Sequence, residues 1–431
     1  MAGLVAIETP TNNDIINGND NTFDTWDVRS LDGASGNRLT HQNATIDGGG
    51  STANGIQINA SDYIALVDID VENCTARGLY SSGTAGVDLY IRRFTADIDT
   101  TAGIHLVART GIDADTVTLT GSGTYGLHSA NSSGDWVNLS ASGQTIPIRI
   151  NGGSNTLLNV TTSSAGQKPF EAVNTTALDV VNITANGTGA TGEAIRLSAA
   201  LGVDIQNFTG YGAGTNGVTI ESTSTDAKLY DGRVYNNGAD GIQILSSTGV
   251  EVHRSHSNSN GTVGASSSGD GITSHAGCTG QKFYFCQTKN NLNTGHAHVD
   301  TSAGEIYHHT SINDGDPDNF SRAALYLPGS GAWTVKNSIF YHDNGYALGE
   351  IGATVNHVID YNCYISNLGP TEDVFTVNST GATWTEWIAA LDAGAGSNSD
   401  DNSWFIHKVS ASVYNCYKGS APTTIERTLT Y

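Results

Sequence analysis

Basic residues are scarce. The 431-residue chain carries 19 Lys and Arg against 42 Asp and Glu, a formal net charge of −23 at pH 7. Phosphate binding needs a basic face, so nucleic acid is not expected as a partner, nor is an anionic membrane surface. What fits is a self-repelling soluble surface, bound Ca²⁺, or a surface that meets glycans. Cysteine is also sparse: Cys74, Cys278, Cys286, Cys363 and Cys416 make an odd number with no CxxC pair. Most lie inside apolar runs, as in Lys282-Phe283-Tyr284-Phe285-Cys286, so buried reduced thiols are expected rather than a disulfide frame. No apolar run approaches the length of a membrane span. The first residues lack the basic start and long apolar core of an export signal, so folding in a reducing cytoplasm is expected. A helical period of 3.6 is hard to find before residue 380.

What the chain does have is glycine, 52 of it, and a short pattern that returns. Gly55-Ile56-Gln57-Ile58 is followed by Gly78-Leu79-Tyr80-Ser81, Gly103-Ile104-His105-Leu106 and Gly126-Leu127-His128-Ser129. The series runs on through Pro147-Ile148-Arg149-Ile150, Phe170-Glu171-Ala172-Val173, Ala194-Ile195-Arg196-Leu197, Gly217-Val218-Thr219-Ile220, Gly241-Ile242-Gln243-Ile244 and Gly271-Ile272-Thr273-Ser274. Ala297-His298-Val299 and Ala324-Leu325-Tyr326-Leu327 close it, with Tyr346-Ala347-Leu348 as a further unit. Steps are 21–25 residues up to Gly241 and lengthen afterwards. A second strand follows each first one, for example Val67–Val71, Thr116–Leu119, Trp136–Leu139 and Val180–Ile183. Period-2 alternation with one apolar face marks half-buried strands. A unit of two dozen residues cannot bury its own apolar face, but stacking unit on unit can. Ile56, Leu79, Ile104, Leu127 and Ile148 should therefore form one interior wall.

The repeat resembles the right-handed parallel β-helix superfamily, which includes pectate lyases, polygalacturonases and bacteriophage tailspikes. The resemblance covers about residues 45–380. It implies an all-β fold: a single right-handed parallel β-helix solenoid of about 12–14 coils. Residues 1–45 are expected to form an N-terminal cap or attachment segment, with Asn12–Asp20 reading as loop. Residues 46–380 form the β-helix, and 381–431 a C-terminal cap. In that cap Thr383 and Glu386 read as a helix capping box, with Trp384, Trp387, Ile388 and Leu391 on one helical face and a β tail behind them.

The outward residue of each first strand should form a surface ladder: Gln57, Tyr80, His105, His128, Arg149, Glu171, Arg196, Thr219, Gln243, Thr273, His298 and Tyr326. Of these, Tyr80, His105, His128, Arg149, Glu171, Arg196, His298 and Tyr326 have the rings and charges to meet a neutral or acidic glycan. Arg149, Glu171 and Arg196 also read as a cross-strand ion-pair ladder. Asp240 and Asp270 stand just before the strand glycine on successive coils, with Gly295-His296 one coil further on. The order loosely resembles the polygalacturonase pattern, which would cast Asp240, Asp270 and His296 as catalytic. The paired Asp-Asp, the Gly-His-Gly and the later Arg-x-Lys of that family are missing from the repeat. Asp68, Asp70, Asp88 and Asp97 beside Arg92 and Arg93 make Ca²⁺ possible as a cofactor. Otherwise no cofactor and no metal site is expected; His296-x-His298 lacks further ligands at fixed spacing. The long insertions, Gly261–Ser268 and Asn313–Asn319, are candidate binding loops.

These features predict a bacteriophage virion protein assembled in the host cytoplasm, either a tailspike-like adhesin or a capsid decoration protein. By the resemblance to phage β-helix proteins it would be a homotrimer, contacting other virion proteins and a polysaccharide or surface glycan. The alternative is a polysaccharide hydrolase or lyase on the same scaffold.

Overall fold

The computed structural model describes residues 15–29, 38–59, 61–82, 87–164, 166–261, 269–275, 277–298, 303–314, 323–327, 331–342, 348–351, 357–370, 373, 375–377, 380–395, 402–410, 412–419 and 421–430. The chain is a β-solenoid of about 12 turns with one short helix near its C-terminus. The turns fall into two compact units, Met1–Thr209 and Gly210–Tyr431. The inserted loops 262–268 and 315–320, and Tyr346-Ala347 of the last repeat, lie outside the described residues.

In the first unit each coil has a short strand and a long one. The short strands Asn54–Asn59, Arg77–Ser82, Ala102–Val107, Tyr125–Ala130, Ile146–Asn151 and Phe170–Val173 pair in parallel, each with the next. Ile56, Leu79, Ile104, Leu127 and Ile148 are in register and fully buried, as is Phe170 after them. The long strands run from Leu39–Asp47 to Ala177–Asn186, also parallel. Parallel pairing begins before them. Ile15–Phe23, which overlaps the stretch that reads as loop, is a strand pairing with Leu39–Asp47, with a register shift between Asn17 and Asn21. A polar Asn/Asp/Gly run shows no apolar alternation, yet its backbone donors and acceptors can still extend a ladder.

The long strands are bent. Near the middle of each, one residue takes the left-handed conformation: Asn43, Asp68, Arg93, Thr116, Asn138, Asn159, Asn182 and Asn207, with φ between 50° and 60°. That residue turns a corner and drops out of the ladder, with pairing resuming on its far side. Asn and Asp tolerate this region better than other residues with a Cβ. Their side chains also bond from coil to coil: Asn138 Nδ2 donates to Asp115 Oδ1 at 3.0 Å, Asn159 to Asn138 at 3.0 Å and Asn182 to Asn159 at 2.9 Å. Each coil thus has three β faces where sequence spacing indicates two.

In the second unit the same corner splits the long strand in two. Lys228–Tyr230 and Arg233–Tyr235 flank Asp231, and Glu251–His253 and His256–Asn258 flank Arg254. Later corners are Phe285, His308, Asn337 and Tyr361. A buried polar ladder reinforces the stack. Asn237 Nδ2 donates to Asn260 Oδ1 at 2.9 Å, Asn260 Nδ2 to Asn291 Oδ1 at 2.8 Å, and Asn291 Nδ2 to Asp314 Oδ1 at 2.8 Å. The helix Trp384–Ala395 covers the last aromatic layer. Glu386 N donates to Thr383 Oγ1 at 3.3 Å and Thr383 N to Glu386 Oε2 at 2.8 Å, the reciprocal bonds of a capping box. Trp384, Trp387, Ile388 and Leu391 are buried, with Trp387 stacked on Phe375 at 4.7 Å. Behind the helix, Trp404–Ser410, Val413–Lys418 and Ala421–Thr430 form an antiparallel meander.

Candidate functional site

The outward ladder of the first unit is in register from Gln57 through Tyr80, His105, His128, Arg149 and Glu171 to Arg196. Successive side chains touch. The Tyr80 and His105 rings lie 5.5 Å apart, and His105 and His128 stack at 4.5 Å. Tyr125, three residues before His128, packs on it at 4.7 Å and accepts a bond from Arg149 Nη1 to its hydroxyl at 2.8 Å. The Arg77 guanidinium lies over the Tyr80 ring at 4.4 Å and donates from Nε to His105 Nδ1 at 3.0 Å. Burial, helped by nearby positive charge, pushes both imidazoles down to about 4. At neutral pH they are uncharged rings.

Further along, one buried carboxylate gathers three cations. Glu171 accepts from Arg196 at 2.9 Å and pairs with Arg149 at 3.3 Å and Lys168 at 3.8 Å; Lys168 also lies 3.9 Å from Glu193. Arg149, Lys168 and Arg196 set three positive charges against Glu171 and Glu193, an excess of one on a chain whose net charge is −23. The ladder is therefore a strip of stacked rings followed by a positive patch.

In the second unit the same register position holds Thr219 of Val218–Glu221, then Gln243, Thr273, Ala297 and Tyr326, of which Thr219, Thr273 and Ala297 are buried rather than on the surface. His298 does not stand on it. It aligns with Ser274 and is buried, stacked on Trp333 at 3.6 Å, with Nδ1 hydrogen-bonded to the Ser274 hydroxyl. Spacing alone places His298 one residue out of register, and in a strand that slip exchanges the two faces. His296 is likewise inward. It aligns with Ile272 and meets Phe283 edge-on at 4.5 Å and His309 at 4.8 Å. Burial and neighbouring imidazoles push both well below the ordinary histidine value.

Asp240 and Asp270 do meet on adjacent coils. Asp240 Oδ1 accepts from the Gly269 and Asp270 amides at 2.9 and 3.0 Å, and Oδ2 accepts from Gln243 Nε2 at 3.0 Å. Asp270 Oδ1 accepts from Asn293 Nδ2 at 2.7 Å. Both are buried, at 3% and 6% exposure. Burial raises both carboxyls, and the Asp240 charge pushes Asp270 well above the usual range. Asn216 completes the cluster: its Oδ1 accepts from the Asp240 amide at 3.0 Å, and its Nδ2 donates to Gln243 Oε1 at 2.9 Å. Asn216 carries a signal that sequence reasoning left unused: Asn216-Gly217 stands one coil before Asp240-Gly241, at the same place in the repeat. His296, turned inward, does not join this face.

The acidic residues considered for Ca²⁺ are dispersed. Asp68 pairs with Arg93, and Asp88 accepts from Arg38 Nε at 2.7 Å. Asp70 and Asp97 line a shallow depression with Thr45, Glu72, Thr95 and Thr118. No group of three metal-ligating side chains converges among the described residues.

No protein-family profile matches the sequence, and neither does any curated protein. Solved structures do. The pectate lyase Pel9A is 11% identical, matched over 74% of this chain and 76% of its own, with a TM-score of 0.35. Tailspike protein 2 of Escherichia coli O157:H7 bacteriophage CAB120 is 13% identical over 84% of this chain and 43% of its own, with a TM-score of 0.33. The A-module of the Azotobacter vinelandii mannuronan C-5 epimerase AlgE6 is 12% identical over 84% and 79%, with a TM-score of 0.29.

Proposed function

We propose that the protein is a glycan-binding β-solenoid whose short-strand face in the first unit holds an extended acidic polysaccharide. The observation that carries this reading is the Tyr80–Arg196 ladder. Neutral, mutually stacked rings offer apolar ring edges to a sugar chain, and the positive patch around Glu171 offers guanidinium groups to uronate or similar carboxylates. The setting we propose is the exterior of a bacteriophage particle, as a tailspike-like adhesin or capsid decoration protein built as a homotrimer. The coil-length repeat and its resemblance to tailspikes favour that setting. Cleavage of the polysaccharide is a second reading, favoured by the paired Asp240 and Asp270 on adjacent coils, with burial and the Asp240 charge holding the Asp270 carboxyl well above its usual range.

Titration calorimetry with acidic oligosaccharides tests the first reading. Arg149→Ala and Arg196→Ala should each weaken binding about tenfold, roughly 1.4 kcal/mol, and added salt should weaken it further. Wild-type affinity in both variants would sink it. New reducing or unsaturated ends that vanish in Asp270→Asn would establish the second reading. Light scattering reports whether the purified chain is a trimer.

A further inference from the structure

The interior wall of the second unit changes character at one coil. One register position runs Val218, Ile242, Ile272, His296, Leu325, and its neighbour runs Ile220, Ile244, Ser274, His298. Imidazoles thus stand where earlier coils hold branched aliphatic side chains and the next holds Leu325. A third ring meets them inside the core. His309, just before the strand Thr310–Ile312, lies 4.8 Å from His296, which lies 4.5 Å from His298. All three are at most 1% exposed.

These rings have few bonds. His296 has no hydrogen-bond partner on either nitrogen. His298 meets the Ser274 hydroxyl through Nδ1 and has none on Nε2, and His309 meets the Thr288 hydroxyl through Nε2 at 3.2 Å and has none on Nδ1. The core can hold neutral imidazoles this way, but not three charged ones. Phe283 and Trp333 pack against the cluster, and the titratable groups acting on it from neighbouring coils are His275 and His357, which carry the same sign of charge when protonated. The nearby buried carboxyls point elsewhere. Asp314 accepts from Ser311 Oγ at 2.6 Å and from Asn291 Nδ2 at 2.8 Å, and Asp270 accepts from Asn293. Among the described residues no carboxylate pairs with any of the three rings.

We propose that this coil, built from His296–His298, Gly304–Tyr307 and Thr310–Ile312, is an acid-operated break point that opens in the middle of the stack while the coils of the first unit stay closed. Each coil is held by its neighbours alone, so a weak one opens at its own place. Burial holds the three rings below the ordinary histidine value while the coil is closed. Once open, each takes a proton near pH 6.5. At pH 5.5 that favours the open coil about tenfold per ring, about a thousandfold for three. The first-unit coils of Ala102–Val107 and Tyr125–Ala130 hold one depressed imidazole each, His105 and His128, which gives only about tenfold. Asp314 opposes the opening, because burial raises its carboxyl and its support for the closed coil grows as pH falls. One carboxyl against three rings leaves the sign unchanged.

Hydrogen exchange of the whole chain at pH 7.5 and 5.5, read by mass spectrometry and corrected for the intrinsic pH dependence of exchange, tests this. Peptides over His296–His298 and Thr310–Ile312 should lose protection on acidification at least tenfold more than those over Ala102–Val107 and Tyr125–Ala130. They should regain it on return to pH 7.5. His296→Leu, which matches Leu325 of the next coil, should cut the loss about tenfold. His298→Phe, which keeps a ring against Trp333, should do the same, so either variant decides if the other fails to fold. The proposal is overturned if protection falls equally in both units, if the most acid-sensitive peptides lie in other coils, or if the folded variants respond as wild type does.

Discussion

Asn159 and Asn182 sit at φ 57° and 60°, joined by one hydrogen bond from amide to amide. A Cβ in this region costs roughly 1–2 kcal/mol for most residues, and Asn offsets part of that locally. Asn182→Ala should therefore destabilise the fold by about 1–2 kcal/mol in urea unfolding, and Asn182→Gly by clearly less, because Gly reaches positive φ freely. The corner was written in the sequence as Asn138, Asn159, Asn182 and Asn207 at coil-length intervals. It is easy to miss because other corners hold Arg93, Thr116 or Phe285, which carry no turn signal. The interior wall was plainer. Ile56, Leu79, Ile104 and Leu127 alternate with polar residues, and only one face of such a strand can be buried.

Elements differ in how far spacing determines them. The short strands from Asn54–Asn59 to Ile146–Asn151 are six residues long, and Gly55, Gly78, Gly103 and Gly126 mark the same position in the first four, so the register of Tyr80 through Arg149 follows directly. After Gly241 the coils lengthen and the strands shrink to three residues. In so short a strand the apolar alternation no longer fixes the face, and His298 reads as outward where its side chain is core. His296 and His298 also look like surface residues by type; only the aromatic neighbours Phe283 and Trp333 show why imidazoles fit there. The terminal helix is the opposite case, because cap, first-turn acid and apolar face agree. Thr383→Ala removes the cap and should lower stability by roughly 1 kcal/mol, visible as a lower thermal midpoint with the far-ultraviolet β signal retained.

Across the molecule, buried titratable groups set the response to acid. His309 is pushed down to about 3, and His41 and His357 to about 4, all by burial. Folded imidazoles bind fewer protons than unfolded ones below their ordinary value near 6.5, so this stability is complete above pH 6.5 and is lost as pH falls toward 3–4. Asp240, Asp270 and Asp314 act in the opposite sense. Their raised carboxyls favour the fold at low pH, and that gain is lost as pH rises through their folded values. With His105, His128, His296 and His298 also pushed down, the histidines outnumber them, so acidification from pH 6.5 to 4 should lower the thermal midpoint. Each strongly depressed imidazole contributes up to ~1.4 kcal/mol per pH unit within that window. His309→Leu should flatten the slope; an unchanged slope would place the titration elsewhere.

Among the described residues, the ladder bonds between rungs join one turn to its immediate neighbours, and none ties distant turns together. Under mechanical load applied at a chain end, that arrangement has no shear clamp. Turns would peel off singly, each releasing about two dozen residues of slack before the next began to yield. A stack of turns made this way would fail by gradual fraying, keeping the rings and charges of its intact turns in place while the end unwound.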